Sequence, residues 1–199
     1  MFSNKAKVSF RIPLKLKLHL FLSKFFKQKS NTTFSVDKPK DIRQGEKFPI
    51  EPLKSYLESQ DFDISGLSVK QFPSGYSNLT YCLSTDKNEY VLRRPPFGAD
   101  SLKGGHDMSR EYKILSQLKS EFKKVPNVHL YTEDKSIIGA PFYIMDCVKG
   151  YILRPNLSQE NAPAAKTISK IANSLIDTLV SLHQVDIDKS GLSDFGKID

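Results

Sequence analysis

From residue 64 onward the apolar positions fall into short runs, and after residue 163 they lengthen to a helical repeat. Ile64, Leu67, Val69 and Phe72 mark a first strand over 64–72, and Leu79 to Leu83 a second. Thr85-Asp86-Lys87-Asn88 is turn chemistry leading to a third strand, Glu89 to Arg93. Connections this short predict an antiparallel meander. Pro95-Pro96 ends it, because proline has no N–H for the ladder. Val128 to Tyr131 and Pro141 to Val148 read as two further strands. The last contains Phe142, Tyr143, Ile144 and Met145, and a run apolar on both faces predicts a covered, central strand.

Three helices are predicted. Pro52 suits a first turn, with Leu53, Tyr56 and Leu57 forming one face of a short helix ending near Gln60. Asp107 suits the N-cap of a second helix, running to about Phe122. In the third, which follows Pro163, Ile168, Ile171, Leu175, Ile176, Leu179, Val180, Leu182 and His183 share a broad face. His183 is therefore expected to be packed and hydrogen-bonded rather than a ligand or base. On the second helix, Glu111 precedes Ile114, Leu115, Leu118 and Phe122 by three, four, seven and eleven residues, so it lies on the apolar face. A carboxylate there is either a partly exposed rim acid or half of an ion pair, because an unpaired buried charge costs several kcal/mol. Arg93 or Arg94 on the adjoining sheet would supply the cation.

Charge divides the chain. Its net +8 looks like a nucleic-acid signal until it is mapped: residues 1–36 hold eight of the 30 basic residues and no acid, leaving 22 cations against 22 acids in the remainder. A neutral body gives no electrostatic case for a nucleic-acid groove. The leader's alternating Phe10, Ile12, Leu14, Leu16, Leu18 and Leu20 are interrupted by Lys15, Lys17 and His19, so no uninterrupted apolar run could span a bilayer. Its composition fits a mitochondrial targeting segment, with a basic arm or membrane-surface anchor on an otherwise cytoplasmic protein as the alternative. Cys82 and Cys147 lie far apart and lack zinc-ligand spacing, so neither a metal site nor a disulfide scaffold is expected.

Between the first two strands, Phe72-Pro73-Ser74-Gly75-Tyr76-Ser77-Asn78 is a small-residue loop, and Arg93 follows at the end of an apolar run. Such an arrangement suits phosphates, although a lone Gly75 by itself is no better than an ordinary hairpin turn. The stretches Ser74 to Tyr81, Tyr90 to Pro96, Arg110 to Leu115, Ile138 to Met145, Leu182-His183 with Val185-Asp186, and Gly191-Leu192 together resemble the aminoglycoside-phosphotransferase-like kinases. Within that family the similarity is greatest to the kinase-like domain fused to some acyl-CoA dehydrogenases. Singly these motifs are weak; their order and spacing over about residues 40–199 are fairly specific.

The resemblance implies an α+β fold: a protein-kinase-like small lobe, with a five-stranded antiparallel sheet and one helix, followed by the first helices of an incomplete large lobe. The expected organisation is a basic leader at 1–36, a linker at 37–50, the small lobe at 51–148 and the start of the large lobe at 149–199. It further implies ATP binding. Ser74, Gly75, Tyr76, Ser77 and Asn78 would cover the phosphates, and Arg93 would contact them while paired with Glu111. Asp146, Cys147 and Val148 would form the adenine hinge, with Met145 beside it. Most kinases place Lys where Arg93 stands, and the planar guanidinium implies a different contact geometry.

By the same resemblance the reaction would carry the ATP γ-phosphoryl group to a small-molecule hydroxyl, with a hydroxyacyl-type metabolite as the first expectation. The family's catalytic loop and magnesium-holding acids lie downstream of the stretch matched by Gly191-Leu192. Asp194-Phe195-Gly196 matches the family's glycine-containing loop rather than a kinase DFG, and His183-Gln184 is not a catalytic loop. No catalytic or metal-ligating residue is therefore assigned, Mg²⁺ is expected only in a full-length protein, and these 199 residues are expected to be inactive as a fragment. The alternative is a pseudokinase-like module that binds nucleotide or protein without catalysis.

Overall fold

The computed structural model describes residues 33–35, 38–73, 77–99, 106–154 and 163–195. The leader's first 32 residues, and with them the targeting question, lie outside the described residues. Two compact units divide the chain, the smaller from residues 1–35 and 152–165, the larger from 36–151 and 166–199. In the smaller, β1 (Thr33–Ser35) pairs antiparallel with β7 (Ile152–Arg154), setting Phe34 opposite Leu153. Three-residue strands leave too little alternation to be read from sequence.

The larger unit is built on β2 (Ser68–Gln71), β3 (Leu79–Ser84), β4 (Glu89–Arg94), β5 (Val128–Thr132) and β6 (Phe142–Asp146). They form an antiparallel sheet in the order β2-β3-β4-β6-β5, so the strand with two apolar faces is internal, as its composition predicts. Register then sorts the side chains. Tyr81, Leu92 and Ile144 stand in one row, and on this face Leu79, Leu83, Phe142 and Leu130 complete a core with Leu53 and Leu57 of α1 (Ile50–Ser59) and Ile137 and Ile138 of α3 (Lys135–Ile138). Thr80, Arg93, Tyr143 and Tyr131 form a row on the opposite face. There α2 (Met108–Glu121) packs, its Tyr112 stacked on Tyr131 at 5.2 Å between ring centroids.

The first strand is shorter than the apolar pattern suggests. Ile64 and Leu67 pack on the core from a turn, closed by Leu67 N donating to Ile64 O at 2.9 Å. Gly66 sits there at φ +66, where any β-carbon would run into the Asp86 carboxylate. The segment read as a polar linker also joins the fold. Lys40 and Gln71 exchange backbone hydrogen bonds of 2.8 and 2.7 Å, and Phe48 is buried edge-on to Tyr81. Composition showed its polar side chains but not its backbone pairing.

The helix α4 (Ala165–His183) has the expected apolar stripe but buries none of its residues. Leu175 is 65% and Leu179 49% exposed, and His183 is exposed as well, contrary to the packed position its helical phase predicts. Ile168, Ile171 and Ile176 are half-buried, while Leu175, Leu179, Val180 and Leu182 leave part of the stripe open. Among the described residues no helix is long and apolar enough to cross a membrane. Exposure separates two substitutions. Leu57→Ala is expected to cost about 2–5 kcal/mol, the range for emptying a packed core site. Leu179→Gln should stay within about 0.5 kcal/mol; urea unfolding would compare them, and equal losses would place α4 in the core.

Candidate functional site

Adjacent residues on a strand face opposite ways, so β4 sends its two arginines to different sides of the sheet. Arg94 turns toward the core side and is 1% exposed. Its Nε donates to Pro95 O at 3.0 Å and its Nη1 to Ile138 O at 2.8 Å, while the guanidinium lies 3.9 Å from the Phe97 ring centroid. Burial pulls its pKa below the usual arginine value. A concavity of about 240 Å³ opens around it, lined also by Pro96, Phe97, His106 and Pro141. With Arg94 committed to two carbonyls, that concavity has little cation to offer a ligand.

Arg93 turns to the face that carries Tyr143. Its Nε donates to Glu111 Oε2 at 3.1 Å and its Nη2 to Oε1 at 3.5 Å. The two side chains are 28% and 33% exposed, so the pair is held yet open to solvent. Glu111 also accepts from Tyr143 Oη at 2.8 Å and Asn78 Nδ2 at 2.7 Å. Asn78 Oδ1 lies 2.7 Å from His106 Nδ1. Burial first, and Glu111 next to it, push the Tyr143 pKa up against the opposing pull of Arg93, so the phenol keeps its proton and donates. The acid on the apolar helix face is thus fully satisfied, and of the two candidate cations Arg93 is its partner.

The helix that presents Glu111 is started by Asp107, whose carboxylate accepts from Arg110 N at 3.0 Å and from Ser109 Oγ at 2.6 Å. The Ser109 and Arg110 bonds hold its pKa below the ordinary aspartate value. A folded-state pKa below the unfolded one gives stability that is present above about pH 4 and fades as pH falls through the carboxylate range. Asp107→Ala is therefore expected to cost about 1 kcal/mol at neutral pH and progressively less under acid. Urea unfolding at several pH values would show it, and a pH-independent deficit would argue against the cap.

The other predicted site residues divide three ways. Ser74, Gly75 and Tyr76 lie outside the described residues, whereas Ser77 is exposed and Asn78 is buried with its side chain on Glu111. Met145 pairs with Val91 on the Arg93 face and is partly buried. At the end of β6, the Asp146 N–H donates to Asn127 O at 2.9 Å. Its carboxylate accepts from His129 Nε2 at 2.6 Å and Asn127 N at 3.2 Å. Burial raises the Asp146 pKa, but these bonds outweigh it and the net shift is downward. Val148 is largely exposed, and Cys147 is partly buried with its thiol pKa raised by that burial. Sequence reasoning missed Tyr143 and His106 as partners of this network, because only strand register sets Tyr143 beside Arg93. It also missed that Cys147 meets Cys82 and Glu89, their ligating atoms all within 4.8 Å of one another.

A five-stranded antiparallel sheet whose β4 cation is paired with a helix carboxylate, leading on to a long helix, defines a kinase-like α+β fold. The chain belongs to the phosphotransferase enzyme family, whose profile matches residues 68–199. It is 39% identical over 131 residues to acyl-CoA dehydrogenase family member 11 of Gallus gallus, across 66% of this chain and 16% of that protein. To the Rattus norvegicus protein of the same name it is 37% identical over 155 residues, 75% of this chain and 20% of the relative. The chain thus spans about a fifth or less of these relatives. A crystal structure from Ralstonia eutropha, provisionally assigned as an aminoglycoside phosphotransferase, superposes with a TM-score of 0.60 at 30% identity, covering 76% of this chain and 43% of that one.

Proposed function

We propose that the chain is the ATP-binding part of a small-molecule phosphotransferase, one that carries the γ-phosphoryl group to a substrate hydroxyl. The observation that carries this reading is the Arg93–Glu111 pair, a fixed and solvent-accessible guanidinium in a chain of the phosphotransferase family. Glu111, itself anchored by Tyr143 and Asn78, holds Arg93 in place. The remaining guanidinium donors would meet phosphate oxygens, a planar fork suited to that geometry. Val91 and Met145 on the same face would form an apolar bed for adenine. With the Asp146 amide committed to Asn127, Cys147 and Val148 would present the hinge backbone groups.

When bound, ATP supplies the phosphoryl group, with its Mg²⁺ spreading the developing charge. None of the residues assigned here would hold that ion. The acyl-CoA dehydrogenase names of the relatives support a hydroxyacyl-type acceptor as the first to assay. A non-catalytic binding module is the second reading, supported by the uncovered stripe of Leu175, Leu179 and Leu182 on α4.

Calorimetric titration with a non-hydrolysable ATP analogue tests the nucleotide reading. Arg93→Ala is expected to weaken binding by about tenfold or more, the scale of one charge-assisted phosphate contact at 1.5–3 kcal/mol. Arg93→Lys should fall between, keeping charge without the fork, and Leu179→Gln should bind as the parent does. Unchanged affinity in Arg93→Ala would remove the basis of the assignment.

A further inference from the structure

Cys82 and Cys147 are 65 positions apart in sequence, and the sheet brings them to one place. In the antiparallel register Cys82 is opposite Val91 and Val91 is opposite Met145, so side chains two residues on from Val91 and Met145, those of Glu89 and Cys147, extend the same face. One ligating atom from each of Cys82, Glu89 and Cys147 lies within 4.8 Å of the others. Both cysteines are free thiols, Cys82 fully buried and Cys147 partly so. Glu89 is partnered by Lys149, whose ammonium is an exposed surface group.

We propose that Cys82, Cys147 and Glu89 form a binding site for a thiophilic divalent cation of the zinc class. Two sulfurs and one carboxylate suit zinc and exclude magnesium or calcium as the natural occupant, since those ions take all-oxygen shells. Tetrahedral zinc with Zn–S bonds of about 2.3 Å sets its sulfurs about 3.8 Å apart, so the three atoms need close by only about an ångström. Binding takes the thiol protons off and draws the Glu89 carboxylate from Lys149, whose ion pair is exposed and correspondingly weak. The fourth tetrahedral position stays open to water, as three protein ligands leave it. A metal so placed ties the exit of β6 to β3 and β4.

The cluster shares a sheet face with Val91 and Met145 and shares Cys147 with the proposed hinge, but its geometry needs no nucleotide and it is tested without one. The chain has two cysteines in all, so any thiolate-to-cobalt charge-transfer absorption from the untagged, reduced protein must come from this pair. Titration with Co²⁺ is expected to saturate at one equivalent, and Zn²⁺ should displace the cobalt and bleach the band. Cys147→Ser should abolish the two-sulfur band; because Cys147 is partly exposed, that variant tests the site even if Cys82→Ser fails to fold. Glu89→Gln should keep a thiolate band but weaken affinity on the order of tenfold or more, the scale that even outer partners of a metal command. Three results would overturn the site: no charge-transfer band with the parent, a band that survives Cys147→Ser unchanged, or undiminished affinity in Glu89→Gln.

Discussion

Arg94→Ala is expected to destabilise the protein by about 2–4 kcal/mol, while Arg93→Ala next to it should cost no more than about 1 kcal/mol. The contrast follows from burial. Arg94 and Ile138 are each 1% exposed, and losing the Arg94 donor leaves the buried Ile138 carbonyl without its partner. An unsatisfied buried polar group costs about 1–3 kcal/mol, to which the lost stacking on Phe97 and the emptied volume of the side chain add. Arg93 sits in a pair about one-third exposed, where solvent replaces much of what is removed. Glu111 would still accept from Tyr143 and Asn78. Arg94→Lys should recover only part of the loss, since an ammonium can neither span the Pro95 and Ile138 carbonyls with a fixed fork nor stack flat on a ring. Urea midpoints at constant m-value would measure all three variants. If Arg93→Ala were the more damaging, the structural cation and the site cation would have to be exchanged.

These two arginines show what was legible in the sequence. Strand alternation dictates that neighbours on β4 face opposite sides, and the phase of α2 puts Glu111 toward the sheet. Neither says which arginine shares its side. That depends on the rows Thr80–Arg93–Tyr143 and Tyr81–Leu92–Ile144, and register is a property of paired strands rather than of any one of them. The five strands and the three longer helices leave marks because each repeats its period several times. Segment 38–49 leaves almost none: its contribution is a backbone bridge to Gln71, an amide held by Glu46 and the single buried ring of Phe48. At α4 the period is plain but its meaning is not, since a stripe of leucines specifies a face that could be covered and not what covers it. The convergence of Cys82, Glu89 and Cys147 was invisible for the same reason as Tyr143, because spacing rules detect ligands on one turn or loop and not across three strands.

Glu111→Ala should combine both kinds of loss. Removing the carboxylate strips the acceptor from Tyr143 Oη and Asn78 Nδ2, on residues only 2% and 4% exposed, and leaves Arg93 without its anchor. Two buried donors left unpaired at about 1–3 kcal/mol each predict a cost of about 2–4 kcal/mol once partial relaxation toward water is allowed. That exceeds Arg93→Ala although the same ion pair is broken, because Arg93 gives up one of several donors whereas Glu111 is the single acceptor on which they converge. Glu111→Gln separates the roles. Its single oxygen, standing for Oε1, can still accept from Asn78 Nδ2, while its NH₂, standing for Oε2, can donate to Tyr143 Oη but faces Arg93 Nε and no longer fixes it, so stability should return in part. ATP-analogue affinity should therefore fall in both variants, by about tenfold if the anchored guanidinium provides one charge-assisted phosphate contact. A Glu111→Gln protein that is stable and binds as tightly as the parent would show that Arg93 needs no carboxylate to act, and would confine Glu111 to holding α2 against the sheet.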